Sequence, residues 1–557
     1  KNTKSYKKEG KIMKKHLLAS LMIAMACSNQ LDAKNVYVKL SSDTEAWSHI
    51  TQDENNVVVE ITDGKFNGIL SNIATKDRVW VAKGIYQVTG SINLNEDRAG
   101  VQIYGGFKGN ETALEQRILK DQDENGIVEP WEFEYETQFQ GNTDTDPSYR
   151  IFTMNAEGDV VDGITICDNT NVNDHGAGAY LKNNAVLSNC IVRNIKAEAS
   201  KNSAVNGAGV FVDGAGLVKS CLIENCTNQN DDSNGSSYGG GINIQGNKSV
   251  ISNSVIRNNQ VVSGKNAFGG GIFLNNSAVA ENCVIYNNSS VFRGGGVYIH
   301  TGGGKLINTT VVKNMGAKAG GGVFSNGNST TYNSVFWGNV NEQGNANNLN
   351  LNQAGYVETF AYCGIQGAGI WMEGKNLNTT PTSYQLIESN DFTEEVTEGL
   401  APRFIRPTVE AGIGYEFLEG TLEAIAKANW GLLNASDLVD KGVNTIPDYT
   451  IATTDICGNA RPVGQKYDLG AYELGSGATG ITTNQKEQSR FTLVANSNGV
   501  TVYGIEGLAK VNVYNTSGAL VKSVQLGNGE TISLIERGVY FLSVSEGETS
   551  QSGKILF

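Results

Sequence analysis

Short apolar runs alternate with glycine and asparagine through the middle of the chain, and the same pattern returns six times between residues 175 and 339. Each unit opens on a Gly-x-Gly-apolar or Gly-Gly-Gly-apolar phrase, at Gly176, Gly207, Gly239, Gly269, Gly294 and Gly320. A second apolar phrase follows 13 or 14 residues later, and successive units begin 25 to 32 residues apart. The runs are too short for helical repeats and are rich in Val, Ile, Phe and Tyr, so the pattern predicts a solenoid of β-strands.

Aligned positions of the second phrase form columns, as they would in stacked coils. One column holds small side chains, at Cys190, Cys221, Ser254, Cys283, Thr309 and Ser334. Two residues on, an apolar column holds Val192, Ile223, Ile256, Ile285, Val311 and Phe336. Since side chains on a strand alternate between faces, both columns are predicted to point into the core.

The next two positions predict surface and turn chemistry. Arg193, Glu224 and Arg257 alternate in sign on successive coils, which favours pairing across strands. Asparagines follow at 194, 225, 258 and 287, where a left-handed turn conformation and a stacked amide ladder are expected.

These repeats resemble right-handed parallel β-helix proteins, and in particular the repeats of polymorphic outer-membrane adhesins, whose Phe-x-x-Asn phrase is matched by residues Phe336 to Asn339. The resemblance implies an all-β fold: a right-handed parallel β-helix with an N-terminal cap and a separate small β-sandwich-like C-terminal domain. We assign residues 151–400 to the repeats, with a degenerate last coil near 356–365. Residues 34–150 form the cap and first coils, because the phrases at 79–86 and 103–112 resemble the opening coils of secreted bacterial β-helix proteins.

Residues 401–474 resemble the choice-of-anchor Q module that follows β-helices in secreted bacterial proteins. The matching phrases begin at Pro402, Asp437, Asp455 and Asp468, although Asn434-Ala-Ser stands where the module usually has Ser-Pro. These phrases contain five charged residues of interest: Asp440, Asp455, Arg461, Asp468 and Glu473. They could form a catalytic carboxylate cluster, but a buried turn network around the arginine is the favoured interpretation.

A Gly/Ser/Thr/Gln-rich linker is predicted at 475–490, followed by a β domain at 491–557. This domain resembles the C-terminal sorting domain of type IX secretion through the phrases at 511–518, 538–540 and 554–557. The resemblance implies a type IX-like secretion machinery as a partner. The alternative is an accessory β domain with a binding role.

The net charge and the first residues of the chain bear on the partner and on the compartment. The net charge of −14 argues against a nucleic-acid partner. Residues 1–33 are predicted to contain a signal peptide, with Lys14 and Lys15 before the apolar stretch 17–26 and Met13 as the true start. Lipidation at Cys27 is the alternative processing route. The cysteines of the repeats are expected to be stacked free thiols and not disulfides.

The sharpest chemical motif runs from Asp121 to Glu132 and fits D-x-[DN]-x-[DN]-G-x5-E at every fixed position. It predicts a structural calcium site in which Asp121, Asp123 and Asn125 supply side-chain oxygens, Ile127 a backbone carbonyl and Glu132 a bidentate carboxylate. Flanking helices are not evident, so this would be a calcium loop without an EF-hand pair. The alternative is an acidic solvated loop.

The favoured function is a secreted or cell-surface binding or adhesion scaffold of a Gram-negative bacterium, monomeric and without catalytic activity, whose partner is a glycan or a protein. The alternative is a polysaccharide-active enzyme, similar to pectate lyases or polygalacturonases. In the repeats, Arg193, Arg257 and Arg293 are not expected to meet two carboxylates at strand spacing, which argues against it. A concave face with three or more converging charged groups would favour the enzyme.

Overall fold

The computed structural model describes residues 33–556 except for 15 short internal segments. Those segments are 144–148, 200–203, 231–234, 264, 352–355, 367–369, 373–375, 378–383, 388–401, 413–420, 476–490, 497–498, 516–519, 534–538 and 548. The predicted signal peptide, Cys27 and nearly all of the predicted linker lie outside the described residues.

Among the described residues, two columns of parallel strands join into one 21-stranded sheet, called sheet one here. The first column contains Asn35–Leu40, Asn56–Ile61, Arg78–Ala82, Gln102–Phe107, Val160–Asp162, Ala185–Ser188, Val210–Lys219, Ile242–Ser252, Ala278–Glu281, Gly304–Ile307, Ser329–Tyr332, Val357–Ala361 and Asn376–Leu377. The second contains Ile92–Leu94, Phe152–Met154, Ala179–Leu181, Ile272–Asn275, Val297–Ile299, Val323–Ser325, Leu349–Leu351 and Ile370–Met372. The long strands Val210–Lys219 and Ile242–Ser252 run through both columns and join them.

Sheet two closes the coil from the other side with 15 described parallel strands. These are Gly84–Gln87, Thr137–Gln140, Thr165–Val172, Ile191–Ala199, Leu222–Glu224, Thr227–Asn230, Val255–Arg257, Gln260–Val261, Val284–Tyr286, Ser289–Ser290, Thr310–Val312, Met315–Gly316, Val335–Trp337, Cys363–Gln366 and Tyr384–Ile387. A third, three-stranded sheet of Ala204–Asn206, Ser236–Tyr238 and Asn266–Phe268 lies beside it. The prediction of a right-handed parallel β-helix is confirmed, with about nine turns.

The solenoid continues at both ends beyond the six repeat units. At the N-terminal end, Val36 pairs in register with Val57 and with Val79, so the predicted cap strands are coils of sheet one itself. At the other end, the strands after residue 366 continue both sheets beyond the coil predicted at 356–365. Short 3-10 helices at Phe66–Asn72, Glu96–Arg98 and Leu114–Gln116 connect the first coils.

The two predicted inward columns form the core. All six apolar members are fully buried, and so are the small residues of the parallel column. Among the described cysteines the thiols are free, as predicted, and the buried ones donate to backbone carbonyls, as Cys221 does to Leu187 O at 3.6 Å.

The predicted turn asparagines have the left-handed conformation, with φ between 51° and 58°. Asn258 donates to Asn225 at 2.6 Å and Asn225 to Asn194 at 3.4 Å, so the predicted amide ladder exists on these coils. Asn287 leaves the ladder and donates instead to Glu410 O and Gly412 O.

Residues 402–412 and 421–475, called the covering layer here, lie against the outside of the solenoid. They contain the antiparallel strands Phe404–Arg406 and Asn429–Leu432 and helix α1, Thr421–Ala426. Trp430, Leu438 and Leu469 pack on outward residues of sheet two, while Ile446 and Ile451 pack on sheet one. The layer therefore wraps a corner of the coil and shares its cores.

The C-terminal residues fold into two antiparallel sheets that enclose a separate core. One sheet contains Thr492–Asn496, Gly499–Tyr503 and Glu530–Ser533; the other contains Ala509–Tyr514, Leu520–Leu526, Val539–Glu546 and Thr549–Leu556. The predicted small sandwich-like domain is therefore present, with seven strands in the described residues.

None of the helices in the described part of the chain is long and apolar enough to cross a membrane.

Candidate functional site

The acidic motif lies in a loop that leaves the solenoid after Phe107 and returns at Thr137. Two backbone hydrogen bonds close the base of the loop: Lys120 N donates to Glu132 O, and Glu134 N donates to Ile118 O, both at 2.8 Å. This closure brings the first and last positions of the motif together, which a linear spacing of 11 residues alone does not guarantee.

Three of the predicted ligands converge inside the loop. One oxygen each of Asp121, Asp123 and Glu132 lies within 4.8 Å of the other two. Gly126, at φ +88°, makes the sharp turn and donates its N–H to Asp121 Oδ2 at 3.1 Å. The Glu132 carboxylate accepts from Gln122 N and from Glu129 N, each at 2.9 Å, so it lies at the centre of the loop.

The other two predicted ligands are Asn125 and the backbone carbonyl of Ile127, and these two residues are hydrogen-bonded to each other through the Asn125 side chain. Its Oδ1 accepts from Ile127 N at 2.7 Å, and its Nδ2 donates to Glu129 Oε1 at 2.8 Å. Glu129 is itself only 3% exposed. This residue was missed in the ligand set, although it occupies the ninth loop position, which often contributes a ligand through water.

The loop concentrates negative charge where water is scarce. Burial raises the pKa of Asp121, Asp123 and Glu132 above their ordinary values. Burial and the charges of Glu132 and Asp123 raise the pKa of Glu129 further. Within the described residues, Asp121 Oδ1 and Glu129 Oε2 are buried and have no hydrogen-bond partner.

Arg257 from sheet two joins this loop to the solenoid. Its Nη1 lies 2.9 Å from Asp123 Oδ2, and its Nε lies 2.8 Å from Glu224 Oε2 on the neighbouring coil. Arg257 therefore meets two carboxylates, but only Glu224 lies on a strand. Asp123 comes from the inserted loop, which the expectation about carboxylates at strand spacing did not cover. The predicted sign alternation pairs Arg257 with Glu224, whereas Arg193 pairs with Glu136 at 3.0 Å.

A cavity of about 480 Å³ opens above Arg257, between the acidic loop, sheet two and α1. Its apolar lining includes Trp131, Ile191 and Leu222, and its rim includes Leu422 of α1. Charged groups of both signs converge on it: Asp123, Glu124, Glu132, Arg193, Glu224, Arg257, Glu423 and Lys427. On the rim, Lys427 Nζ lies 2.8 Å from Glu124 Oε2 and 2.7 Å from Glu423 Oε1.

The second set of charged residues, in the covering layer, forms the predicted buried turn network. Arg461 is 3% exposed and donates to Asp468 O at 2.9 Å. Its Nε lies 3.2 Å from Glu473 Oε2, although the two are not aligned as a hydrogen bond. Asp455 accepts from Cys457 N and Asn459 N, and Asp440 accepts from Lys466 N, so the carboxylates hold turns of the backbone.

No protein-family model matches the sequence, and no curated protein matches it. A solved structure, the crystal structure of pectate lyase Pel9A, is similar to this chain with 11% sequence identity and a TM-score of 0.39. The match covers 79% of this chain and 96% of that chain.

Proposed function

We propose that the protein is a secreted, surface-exposed β-helix scaffold that binds a glycan or a protein and does not catalyse a reaction. The observation that carries this proposal is the cavity above Arg257, where apolar walls and fixed polar groups meet between three parts of the fold. Small-ligand sites combine these two kinds of lining, with the polar groups setting orientation.

The central cation of the cavity is held in place for recognition. Besides its two carboxylate partners, Arg257 Nη1 donates to Tyr286 OH at 3.1 Å and to Ala426 O at 2.9 Å. Although burial acts against the charge, Tyr286, Glu224 and Asp123 raise the pKa of Arg257 above its ordinary value. A guanidinium fixed in this way stays protonated and supplies hydrogen bonds, not a proton-transfer step.

The route to the surface belongs to the same proposal. The phrases in 401–474 and 491–557 resemble a choice-of-anchor Q module and a type IX sorting domain, which suits export through a type IX-like machinery. A Gram-negative cell surface and a monomeric chain complete the proposal.

A specific observation favours a second candidate, a polysaccharide-active enzyme. Carboxylates and a basic residue converge on one concave face, as Asp123, Glu224 and Arg257 do here. Convergence of this kind was the feature expected to favour catalysis over adhesion. The two candidates therefore make opposite predictions for the same cavity.

The first prediction tests binding with a panel of glycans and matrix proteins and the full chain. Leu422→Trp places a large ring at the mouth of the cavity and should weaken binding of the retained ligand at least about tenfold. Val463→Trp is the matched control, because Val463 is 52% exposed against 51% for Leu422 and does not line the cavity. A ligand bound equally by both variants would place recognition elsewhere, and no retained ligand would refute the proposal.

The enzyme is tested by incubating the full chain with polygalacturonate and other acidic glycans. We expect no turnover. Absorbance of unsaturated product, or new reducing ends, rising in proportion to protein concentration and lost in Leu422→Trp would establish the second candidate instead.

A further inference from the structure

We infer that the acidic loop 121–132 binds one calcium ion, and that the bound ion fastens the covering layer to sheet two of the solenoid. The inference does not depend on the proposed binding function, because the ion is measured directly and without a ligand in the cavity.

The donors that the loop brings together are of the type calcium prefers. Hard oxygen ligands from Asp121, Asp123 and Glu132 already lie within 4.8 Å of one another. Calcium takes six to eight such oxygens at 2.3–2.6 Å, and the motif assigns further ligands to Asn125 and the carbonyl of Ile127.

Two buried carboxylate oxygens of the loop favour a bound cation independently of the motif spacing. Glu129 is 3% exposed, and its Oε2 is without a hydrogen-bond partner in the described part of the chain. Asp121 Oδ1 is also a buried oxygen without a hydrogen-bond partner among the described residues. A buried carboxylate oxygen without a partner is costly, and a divalent cation satisfies several such oxygens at once.

Arg257 does not replace the ion. Its guanidinium bonds to Asp123 in the loop, and its single charge is shared with Glu224. Within the described part of the chain, no Lys or Arg forms an ion pair with the carboxyl groups of residues 121, 129 and 132. Magnesium is disfavoured, since it requires a tight octahedron and retains most of its waters.

The backbone of the loop is also where the covering layer attaches. Asn429 Nδ2 donates to Asn125 O at 3.0 Å, and Arg406 Nη2 donates to Glu124 O at 2.7 Å. An ion that fixes residues 121–127 fixes these two acceptors, so calcium should order the layer together with the loop.

The test strips the full chain with a chelator and adds terbium, a luminescent calcium substitute. Trp131 is adjacent to Glu132 and 4% exposed, so it should sensitise terbium emission at the site. Calcium should displace terbium with a dissociation constant of about 10⁻⁴ to 10⁻³ M, and magnesium should require at least about tenfold more. Absence of sensitised emission, or equal displacement by both ions, would overturn the inference.

The matched variants are Asp121→Asn and Glu423→Gln. Both remove one negative charge near the cavity, but only Asp121 belongs to the loop. In calorimetric titration, Asp121→Asn should lower the affinity for calcium at least about tenfold, and Glu423→Gln should leave that affinity unchanged. Equal isotherms for Asp121→Asn and the unmodified chain would refute the site.

Limited proteolysis of the unmodified chain keeps the inference testable if Asp121→Asn does not fold. Calcium should slow cleavage both within 119–133 and within the covering layer, because the two are fastened together. Protection of the loop without the layer would refute the fastening role, and protection of neither would refute the whole inference.

Discussion

A second ladder of asparagines lies inside the coil, and two of its members, Asn259 and Asn288, directly follow turn asparagines. Its members are fully buried or nearly so: Asn259, Asn288, Asn314, Asn339 and Asn348. Asn288 Oδ1 accepts from both Asn259 N and Asn259 Nδ2, at 2.9 Å and 3.0 Å. Asn288 Nδ2 in turn donates to Ile256 O and to Asn314 Oδ1. Each amide therefore satisfies polar groups on two neighbouring coils.

Replacing one member should expose the cost of leaving these groups unpaired. Asn288→Ala should lower the free energy of unfolding by about 2–3 kcal/mol, because donors of Asn259 and a carbonyl of Ile256 lose their partner in a dry core. The exposed strand residue Asn93 provides the control, and Asn93→Ala should change stability by less than about 0.5 kcal/mol. Urea unfolding of both variants measures the free energy of unfolding, and similar decreases for the two would contradict the structural role of the ladder.

Sequence alone predicted the outer asparagines and missed the inner ones. Asn258 and Asn259 are consecutive, and both are equally good turn residues by composition. Their roles separate only because the left-handed φ at Asn258 turns the next side chain inward, where it meets Asn288 on the following coil. Glu129 was also missed: its ninth position can be read from the loop spacing, but its burial beside Asn125 cannot.

Among the strands, the alternation of apolar residues predicted the inner face of sheet two correctly. It did not predict that the outer face is covered. Val284 and Tyr286 point outward yet are buried, because the covering layer lies on them. Tyr286 OH donates to Ile425 O, which is 139 residues away in the chain. Strand periodicity reports local faces, so a second layer contributed from so far away could not be predicted from it.

The turn network of the covering layer predicts a dependence of stability on pH. Burial, together with the charge of Glu473, raises the pKa of Asp468 from its ordinary value of 3.8 to about 7. The folded state therefore binds a proton that the unfolded state has released between about pH 4 and 7, and stability from this group falls as pH rises through that range.

Melting temperatures of the unmodified chain and Asp468→Asn, measured from pH 4.5 to 7.5, isolate this effect. The unmodified chain should lose stability relative to the variant as pH rises, since the variant has no proton to release. Asp448→Asn, an exposed position in the same layer, should follow the unmodified chain at every pH. A constant difference between the unmodified chain and Asp468→Asn would show that Asp468 does not titrate in this range.

For the whole molecule, the candidate site depends on contacts between distant segments. Arg257 and Asp123 are 134 residues apart in the chain, and Asn125 and Asn429 are 304 apart. The repeat pattern was enough to predict the solenoid because each coil contacts its sequence neighbours. The cavity could not be predicted in the same way, since an insertion and a covering layer form it where neither follows the repeat.

The C-terminal domain gives the last prediction, which concerns export. It has its own core, and it contacts the rest of the described chain at few points, such as the bond from Asn434 Nδ2 to Phe491 O at 3.1 Å. Removal of residues 476–557 should therefore leave the solenoid folded, with the β-sheet signal and the cooperative melt of the remaining residues preserved. The resemblance of 491–557 to a type IX sorting domain predicts that the truncated chain stays in the periplasm.

Surface proteolysis on intact cells measures this export, with fractionation as the check that the truncated chain is made and exported across the inner membrane. The same accessibility for truncated and full chains would refute the sorting role and leave an accessory binding domain as the explanation.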